Sequence, residues 1–365
     1  MQLLAALSSH KAVNAFLHPR CVVPVPSVCA TIGAIYVATG GRVNISDQSE
    51  ISGNQAIAAP TATSALGGAL FVCGGSFLTI ADAQLNRNKA SGGGTAEGGF
   101  IFGRTGSFVE IHGSRLADNV ASTTGTKAIG GALALYGTLR VFSSELKANV
   151  ARGTDFSQGG GAAIYKGGTG FFSRVTCEAN LANNGGQGNQ GGAVHLFEGT
   201  SFVGLDLQII RNVAEGSEAR GGGISSLADS LQLTSTAFES NRATTTKGNG
   251  FGGGLFSDIG GQLNVEGASF YGNIAEILDN SLSALRASGG AVFLGSNVKS
   301  AFIVGSHFGE NYAGETPSGV RATGTIGTWS LLQVASGPVK FQLHSSLKPQ
   351  STLHWRRQPC TFLPP

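Results

Sequence analysis

The sequence has little charge and no long apolar run. Only 12% of its 365 residues are Asp, Glu, Lys or Arg, and the formal net charge is +3. So small a charge, with no polybasic run before the tail, does not favour a nucleic acid or an anionic membrane as the partner. No stretch reaches the ~20 consecutive apolar residues that a membrane-spanning helix needs. The sequence therefore predicts no nucleic-acid partner and no transmembrane segment.

Cysteine is also scarce, and its spacing matches no metal site. The five cysteines are Cys21, Cys29, Cys73, Cys177 and Cys360. None forms a CxxC pair. We interpret Cys177 as a small buried hydrophobe, and the pairing of Cys21 with Cys29 stays open. No Asp-rich calcium loop or phosphate loop is present, so we assign no catalytic, cofactor-binding or metal-ligating residue from the sequence.

What the chain has in abundance is glycine and a repeat. It contains 57 glycines, and nine asparagines are each followed two residues later by alanine. The spacing between successive copies is 29 to 38 residues, which is typical of a solenoid. The nine residues are Asn54, Asn88, Asn119, Asn149, Asn180, Asn212, Asn241, Asn273 and Asn311.

Within each repeat, apolar residues alternate with polar ones eight to ten positions before the asparagine. Leu78, Thr79 and Ile80 show this pattern, which is typical of a half-buried strand. A Gly-Gly-Ala segment such as 67–69 opens a second strand. We therefore predict an all-β fold: a right-handed parallel β-helix of about nine coils with end caps. Two or three short strands per coil and a rod about 40 Å long are expected.

The repeat also predicts what its own residues do. Glycine pairs suit corners that need positive φ or close backbone approach. The asparagine suits a second corner, with left-handed geometry and an amide bonded to the same amide one coil away. Charged residues at equivalent positions predict ion pairs between coils, of 0–1 kcal/mol each. These pairs are Glu110 with Arg140, Arg87 with Asp118, and Lys147 with Glu178.

The pattern divides the chain into three parts. Residues 32–313 are predicted to form the β-helix. Residues 1–31 are either a capping segment, because Leu4, Leu7, Val13, Phe16 and Leu17 fall near helical spacing, or a degenerate secretory signal. Residues 314–365 are predicted to hold a capping strand near 325–334 and a disordered tail.

The motifs resemble a known family. Gly-Gly-Ala-(Ile/Leu/Val), as at 130–133 and 289–292, with Phe-x-x-Asn, as at 238–241 and 270–273, is similar to the repeat of the chlamydial polymorphic outer membrane proteins. The resemblance covers about residues 32–313. It implies a surface-exposed passenger β-helix that works in adhesion. It does not extend to the outer-membrane barrel of that family.

Two functions are expected from this fold. The first is a secreted or surface-exposed structural and adhesion-type rod. It would bind a glycan or cell-surface protein through loops after each asparagine, at 91–97, 122–129, 183–190, 244–252 and 276–288. The alternative is a carbohydrate-active lyase or hydrolase.

The enzyme alternative has few candidate residues in the sequence. Glu178 and Glu239 are predicted to lie two coils apart, at roughly 10 Å, near the ~6.5–9.5 Å of inverting glycosidases. Ile210 is predicted to lie between them. His195, with Glu198 and Asp206 nearby in sequence, is interpreted as a surface residue.

Overall fold

The computed structural model describes residues 14–16, 31–59, 64–184, 186, 188–278, 287–315, 332–334 and 339–342. These residues form a right-handed parallel β-helix, as predicted. Nine successive coils each contain five short strands, from 31–57 in the first coil to 287–315 in the ninth. Eight steps along the rod axis thus separate the first coil from the last, in agreement with the predicted length.

Each coil crosses five sheets in a fixed order, and we number the sheets 1 to 5 along the chain. Sheet 1 consists of Thr31–Ile32, Ser64–Leu66, Thr95–Glu97, Lys127–Ile129, Phe156–Gln158, Gly188–Gln190, Ala219–Arg220, Gly250–Phe251 and Ala287–Ser288. Sheet 2 consists of Ile35–Val37, Leu70–Val72, Ile101–Gly103, Leu133–Leu135, Ala162–Ile164, Val194–Leu196, Ile224–Ser226, Leu255–Ser257, Val292–Leu294 and Leu332–Val334.

Sheet 3 has the longest strands. It consists of Asn14–Phe16, Arg42–Ile45, Phe77–Ala81, Phe108–His112, Thr138–Phe142, Thr169–Ser173, Ser201–Leu205, Ser230–Thr234, Gln262–Glu266, Ser300–Val304 and Val339–Gln342.

Sheets 4 and 5 complete each coil on either side of the repeated asparagine. Sheet 4 consists of Glu50–Ser52, Gln84–Asn86, Arg115–Ala117, Glu145–Lys147, Thr176–Glu178, Gln208–Ile210, Ala237–Glu239, Ser269–Tyr271 and His307–Gly309. Sheet 5 consists of Gln55–Ile57, Lys89–Gly92, Val120–Thr123, Val150–Gly153, Leu181–Asn184, Val213–Gly216, Arg242–Thr245, Ile274–Ile277 and Tyr312–Glu315.

The structure has five strands in each coil, so the prediction of two or three strands per coil was wrong. The missed strands are only two to four residues long, and three of the corners between them turn on a single residue with positive φ. Strands so short carry too few alternations to give a period-2 signal in the sequence. The polar–apolar pattern was visible only in sheet 3, where most strands have five residues.

Inward-facing side chains stack into one continuous core along the rod. Leu78 and Ile80 of sheet 3, with Leu85 of sheet 4, are completely buried. Cys177 lies between Leu146 and Ile209 in the stack and is also completely buried, which confirms its interpretation as a buried hydrophobe. Burial raises the pKa of its thiol to about 12.

The alanine of each Asn-x-Ala motif has its own packing role. Ala90 and Ala121 of sheet 5 are completely buried and pack against Ala65 and Ala96 of sheet 1. The two sheets approach closely there, so only a methyl group fits between them.

The glycine pairs form the corner between sheets 1 and 2, as predicted. The first glycine of the pair has positive φ, as at Gly130 (63°). A Cβ on the second, Gly131, would overlap the carbonyl oxygen of Gly160 in the next coil and lie 2.6 Å from the Val150 nitrogen. The first glycine is therefore required by backbone conformation and the second by close approach.

The asparagine corner differs from the prediction in one respect. The residue with positive φ is the one before the asparagine, in all nine coils. These residues are Gly53, Arg87, Asp118, Ala148, Ala179, Arg211, Ser240, Gly272 and Glu310. The asparagine itself does not adopt left-handed geometry. The role that the asparagine shares in all nine coils is to form hydrogen bonds between neighbouring coils.

The predicted amide ladder is confirmed over all nine asparagines. In the middle of the rod, Asn119 Nδ2 donates to Asn149 Oδ1 at 2.9 Å, and the Asn119 backbone nitrogen donates to the same oxygen at 3.0 Å. Asn149 Nδ2 in turn donates to Asn180 Oδ1 and to the carbonyl oxygen of Leu116, both at 2.9 Å. Two donated and two accepted bonds satisfy each interior amide, which explains how it is buried without a penalty.

The predicted end caps fall mostly outside the described residues. Asn14–Phe16 pairs antiparallel with Arg42–Ile45 of sheet 3, so the described part of the predicted helical segment is a strand. Leu332–Val334 and Val339–Gln342 pair with the ninth-coil strands of sheets 2 and 3. The predicted capping strand near 325–334 is thus present at 332–334.

Candidate functional site

Outward-pointing residues of sheet 3 form an aromatic row over coils two to five. Phe77 has 42% of its surface exposed, and the other rings are half-buried. Ring centroids lie 5.7 Å apart between Phe77 and Phe108, 4.7 Å between His112 and Phe142, and 5.5 Å between Phe142 and Phe171. We call these five side chains the aromatic face.

Cations lie over the rings of the aromatic face. The Arg42 guanidinium lies 4.8 Å from the Phe77 ring centroid, and that of Arg140 lies 5.2 Å from Phe108. Glu110 joins two side chains of this face, because its Oε1 is 2.8 Å from His112 Nε2 and its Oε2 is 3.8 Å from Arg140 Nη1. One carboxylate, one imidazole and one guanidinium therefore converge on this open face.

A second aromatic surface lies on the outside of sheet 2. In the nine coils, the middle residue of each sheet 2 strand points away from the main core and is buried or half-buried. In the first five coils these residues pack with side chains of sheet 1 and of the turn leading to sheet 3. We call the surface formed by these middle residues the outer groove. Its first coils hold large rings, Phe71 and Phe102, 5.3 Å apart. Coils four and five have Ala134 and Ala163 at the same position.

Tyrosines fill the space that the two alanines leave. Tyr136 and Tyr165, one residue beyond their strands, stack at 3.8 Å with an interplanar angle of 4°. Tyr165 reaches back over two coils, and its hydroxyl donates to Glu97 Oε2 at 2.7 Å. Desolvation raises the pKa of Glu97 and, together with the Glu97 charge, raises that of Tyr165 well above its usual value. Tyr165 is therefore a protonated donor and not a nucleophile at neutral pH.

His195 lies in the outer groove, completely buried, and this corrects its interpretation as a surface residue. It occupies the middle position of its sheet 2 strand, next to Ala163 and Ser225. Burial, with a smaller contribution from Arg220, lowers the pKa of its imidazole to about 3. Glu198 and Asp206 are exposed, and neither bonds to it. The sequence grouping of these three residues is thus not a site.

The two carboxylates predicted from the sequence lie in register, but one of them forms ion pairs with basic side chains. Glu178 and Glu239 occupy equivalent positions two coils apart with Ile210 between them, as predicted. Glu178, however, forms ion pairs with Lys147, at 2.8 Å, and with Arg211. Hydrogen bonds from Lys147 and Arg211 lower its pKa, so it is ionised and unsuited to act as a general acid.

Two of the three predicted inter-coil ion pairs are confirmed. Arg140 lies 3.8 Å from Glu110 and Lys147 lies 2.8 Å from Glu178. The third is wrong, because Arg87 lies 4.0 Å from Glu50 in the preceding coil and not beside Asp118.

The loops between sheets 5 and 1 project from one edge of the rod, as predicted. Within the described residues they are hydrogen-bonded to each other from coil to coil. Thr126 N donates to Gly94 O at 3.0 Å, Thr154 N to Gly125 O at 3.2 Å, and Ser217 N to Gly186 O at 3.2 Å. These loops, which are rich in Gly, Ser and Thr, therefore extend the coil-to-coil hydrogen bonding of the β-helix.

No protein-family model, curated protein or solved structure matches the chain. The structure therefore establishes the repeat fold, and the family resemblance depends on the motif residues alone. Across the residues that the structure describes, no helix is long and apolar enough to cross a membrane. Within those same ranges, no three His, Cys, Asp or Glu side chains group as metal ligands.

Sequence reasoning missed both aromatic surfaces. Two pairs of the aromatic face recur at the repeat period: Phe77 with Phe108, and His112 with Phe142. Aligning the copies on the asparagine exposes the first pair, because both phenylalanines stand eleven residues before it. In the outer groove, Phe71 and Phe102 are followed in the next coils by Tyr136 and Tyr165 from another position of the repeat, so no single column of the alignment shows these rings.

Proposed function

We propose that this protein is a secreted or surface-displayed rod that binds a glycan or a cell-surface protein. The observation that carries the proposal is the aromatic face, where exposed Phe77, four half-buried rings and exposed Arg42 and Arg140 lie together on one sheet. Aromatic and arginine side chains are enriched at interfaces relative to the rest of the protein surface. The motif resemblance to chlamydial passenger repeats supports an adhesion-type role outside the cell.

We place the contact surface on the aromatic face in preference to the loop edge. The described loops bond to one another and offer small side chains, whereas Phe77 and its neighbours offer large apolar surface. Aromatic and arginine side chains dominate the binding energy of most interfaces. The loop edge of 91–97, 122–129, 183–190, 244–252 and 276–288 is the alternative surface.

The experiment compares binding of matched variants to a glycan array and to cultured cells. Phe77→Ser with Phe108→Ser alters the aromatic face, and Thr126→Ala with Lys247→Ala alters the loop edge, where both residues are exposed. We expect the first variant to lose at least tenfold in affinity and the second to bind like the parent. Loss in the loop variant alone would move the contact surface to that edge. No binding of the parent to any glycan or cell would contradict the proposal.

A carbohydrate-active enzyme is the second candidate, and one cluster favours it. Glu110, His112 and Arg140 converge on the aromatic face, as a lyase or hydrolase acting on a bound polysaccharide would require. Release of new reducing ends or unsaturated sugars from polygalacturonate, alginate or heparan sulfate tests this function. Activity that disappears in His112→Ala but persists in Arg42→Gln would establish it in place of pure binding.

A further inference from the structure

The rim of the outer groove contains a recess at the fourth coil. In coils two, three and five, four residues connect sheet 2 to sheet 3, as in Arg104–Ser107 of the third coil. In the fourth coil only Tyr136 and Gly137 do so. The missing two residues interrupt the ridge that the turns form along the rod. An open depression of about 540 Å³ lies there, lined by Gly74, Phe102, Arg104, Thr105 and Tyr136.

The recess contains a cation that has no anionic partner among the residues that the structure describes. Arg104 is exposed, and its guanidinium lies 5.8 Å from the centroid of the Phe71 ring. No carboxylate within the described ranges lies within 4.0 Å of it, in contrast to Arg87, Arg115, Arg140, Arg211, Arg220 and Arg242. Glu97, which lies beside the outer groove, accepts the Tyr165 hydrogen bond. The recess is therefore complementary to a negative charge.

The other walls are suited to a sugar ring. Phe102 is 5% exposed and forms the apolar base, and half-buried Tyr136 meets it edge-to-face at 5.9 Å. Thr105 offers an exposed hydroxyl at the rim. Desolvation raises the pKa of Tyr136, so its phenol stays protonated at neutral pH. A volume of about 540 Å³ is within the range of small-ligand sites, and its openness leaves room for the rest of a chain.

From these contacts we infer that the recess binds a carboxylate-bearing sugar residue of a glycan, a uronic or sialic acid. The guanidinium of Arg104 pairs with the carboxylate, and the ring lies against Phe102 and Tyr136. This inference rests on the proposed function, because it names the kind of glycan that the rod would bind. It adds a second contact surface, separated from the aromatic face by the turn between sheets 2 and 3.

Arg152 provides a control of the same charge on the same protein. Like Arg104 it is exposed, and it has no carboxylate within ion-pair distance in the described ranges. It differs in lying on sheet 5, outside the recess and away from the aromatic face. If positive charge alone attracted the acidic sugar, substitution of either arginine would weaken binding equally. If the sugar binds in the recess, only substitution of Arg104 would weaken it.

The test is calorimetric or NMR titration of the full chain with four probes: trigalacturonate, sialyllactose, neutral trigalactose and lactose. We expect one acidic probe to bind at least tenfold more tightly than its neutral counterpart. We also expect Arg104→Gln to abolish that difference and Arg152→Gln to leave it intact. The acidic probe that binds distinguishes a uronic from a sialic acid. Circular dichroism confirms that both variants retain the β-helix.

The inference would be overturned by equal binding of acidic and neutral probes, or by an equal loss in the two arginine variants. Failure here is distinguishable from failure of the proposed function. A parent chain that binds cells but no acidic sugar would overturn the inference and leave the binding rod in place. A chain that binds acidic sugars in solution but no array or cell surface would contradict the rod function and leave the recess as a site.

Discussion

Tyr165 donates a hydrogen bond to Glu97 across two coils of the rod, at 2.7 Å and a sequence separation of 68 residues. The bond can form because the small side chains of Ala134 and Ala163 leave room for the Tyr165 ring to extend toward the third coil. The bond stabilises the ionised form of a carboxyl group whose burial favours the protonated form. Desolvation raises the pKa of Glu97 above 4.5, and the Tyr165 bond opposes that rise.

This pair predicts a dependence of stability on pH. Because the folded-state pKa of Glu97 is raised, its contribution to stability is full below 4.5 and is lost as pH rises through the raised value. We expect Glu97→Gln to unfold at a higher denaturant midpoint than the parent at neutral pH and to converge with it near pH 4. A Glu97→Gln midpoint below that of the parent at neutral pH would contradict the sign of the shift.

The second prediction concerns the Tyr165 hydroxyl, which donates the hydrogen bond to Glu97. Tyr165→Phe is expected to destabilise the fold by about 1.5–3 kcal/mol at neutral pH, because a bond to a charged group is lost. The loss should shrink as pH falls and Glu97 becomes protonated. Tyr136→Phe is the control, since it keeps a stacked ring and the Glu97 bond belongs to Tyr165. Equal losses in the two variants, independent of pH, would argue against the pair.

Most of the frame could be predicted from the sequence, and the physical reason is repetition. Asn149 makes bonds to both neighbouring coils, so the same residue must recur in each coil and becomes visible as a period. The outer groove could not be predicted, because Tyr165 compensates for Ala163 at a different position of the repeat. His195 was misassigned for a related reason: its neighbours in the coils on either side cover it, and no local pattern records them.

The amide ladder predicts a large difference between interior and terminal asparagines. Asn149→Ala removes bonds to Asn119, Asn180 and Leu116 and leaves buried donors unpaired. We expect it to lower the free energy of unfolding by about 3–5 kcal/mol, since each unsatisfied buried group costs about 1–3. Asn54→Ala, at the first and partly exposed end of the ladder, should cost about 1 kcal/mol. Denaturant titration measures both, and similar costs would show that the ladder does not determine stability.

The two glycine roles can be separated by substitution. Gly131→Ala places a Cβ against the Gly160 carbonyl oxygen of the next coil and 2.6 Å from Val150 N of its own coil, so we expect the chain to lose its folded β signal or to aggregate. Gly167, unlike Gly131, has positive φ (80°) and open space around its Cβ position. Gly167→Ala should therefore cost only about 1–2 kcal/mol, the penalty of left-handed geometry. Circular dichroism and thermal midpoints compare them, and a folded Gly131→Ala rod would contradict the close approach.

Cys177 predicts a chemical probe of the folded core. Its thiol is completely buried with a pKa of about 12, so it should resist iodoacetamide at neutral pH in the native protein. Labelling followed by mass spectrometry should find it modified only when denaturant unfolds the middle coils. Rapid labelling of Cys177 in native buffer would show that the fifth coil opens, against the packing described above.

The most direct test of the binding rod is footprinting of the chain on a partner surface. Hydroxyl-radical labelling would be compared between the free rod and the rod bound to a glycan or to cells. The proposed function predicts protection of Phe77, Phe108, Phe142 and Phe171, with unchanged labelling along the loop edge. Protection confined to the loop edge, or a rod that binds no surface, would contradict it.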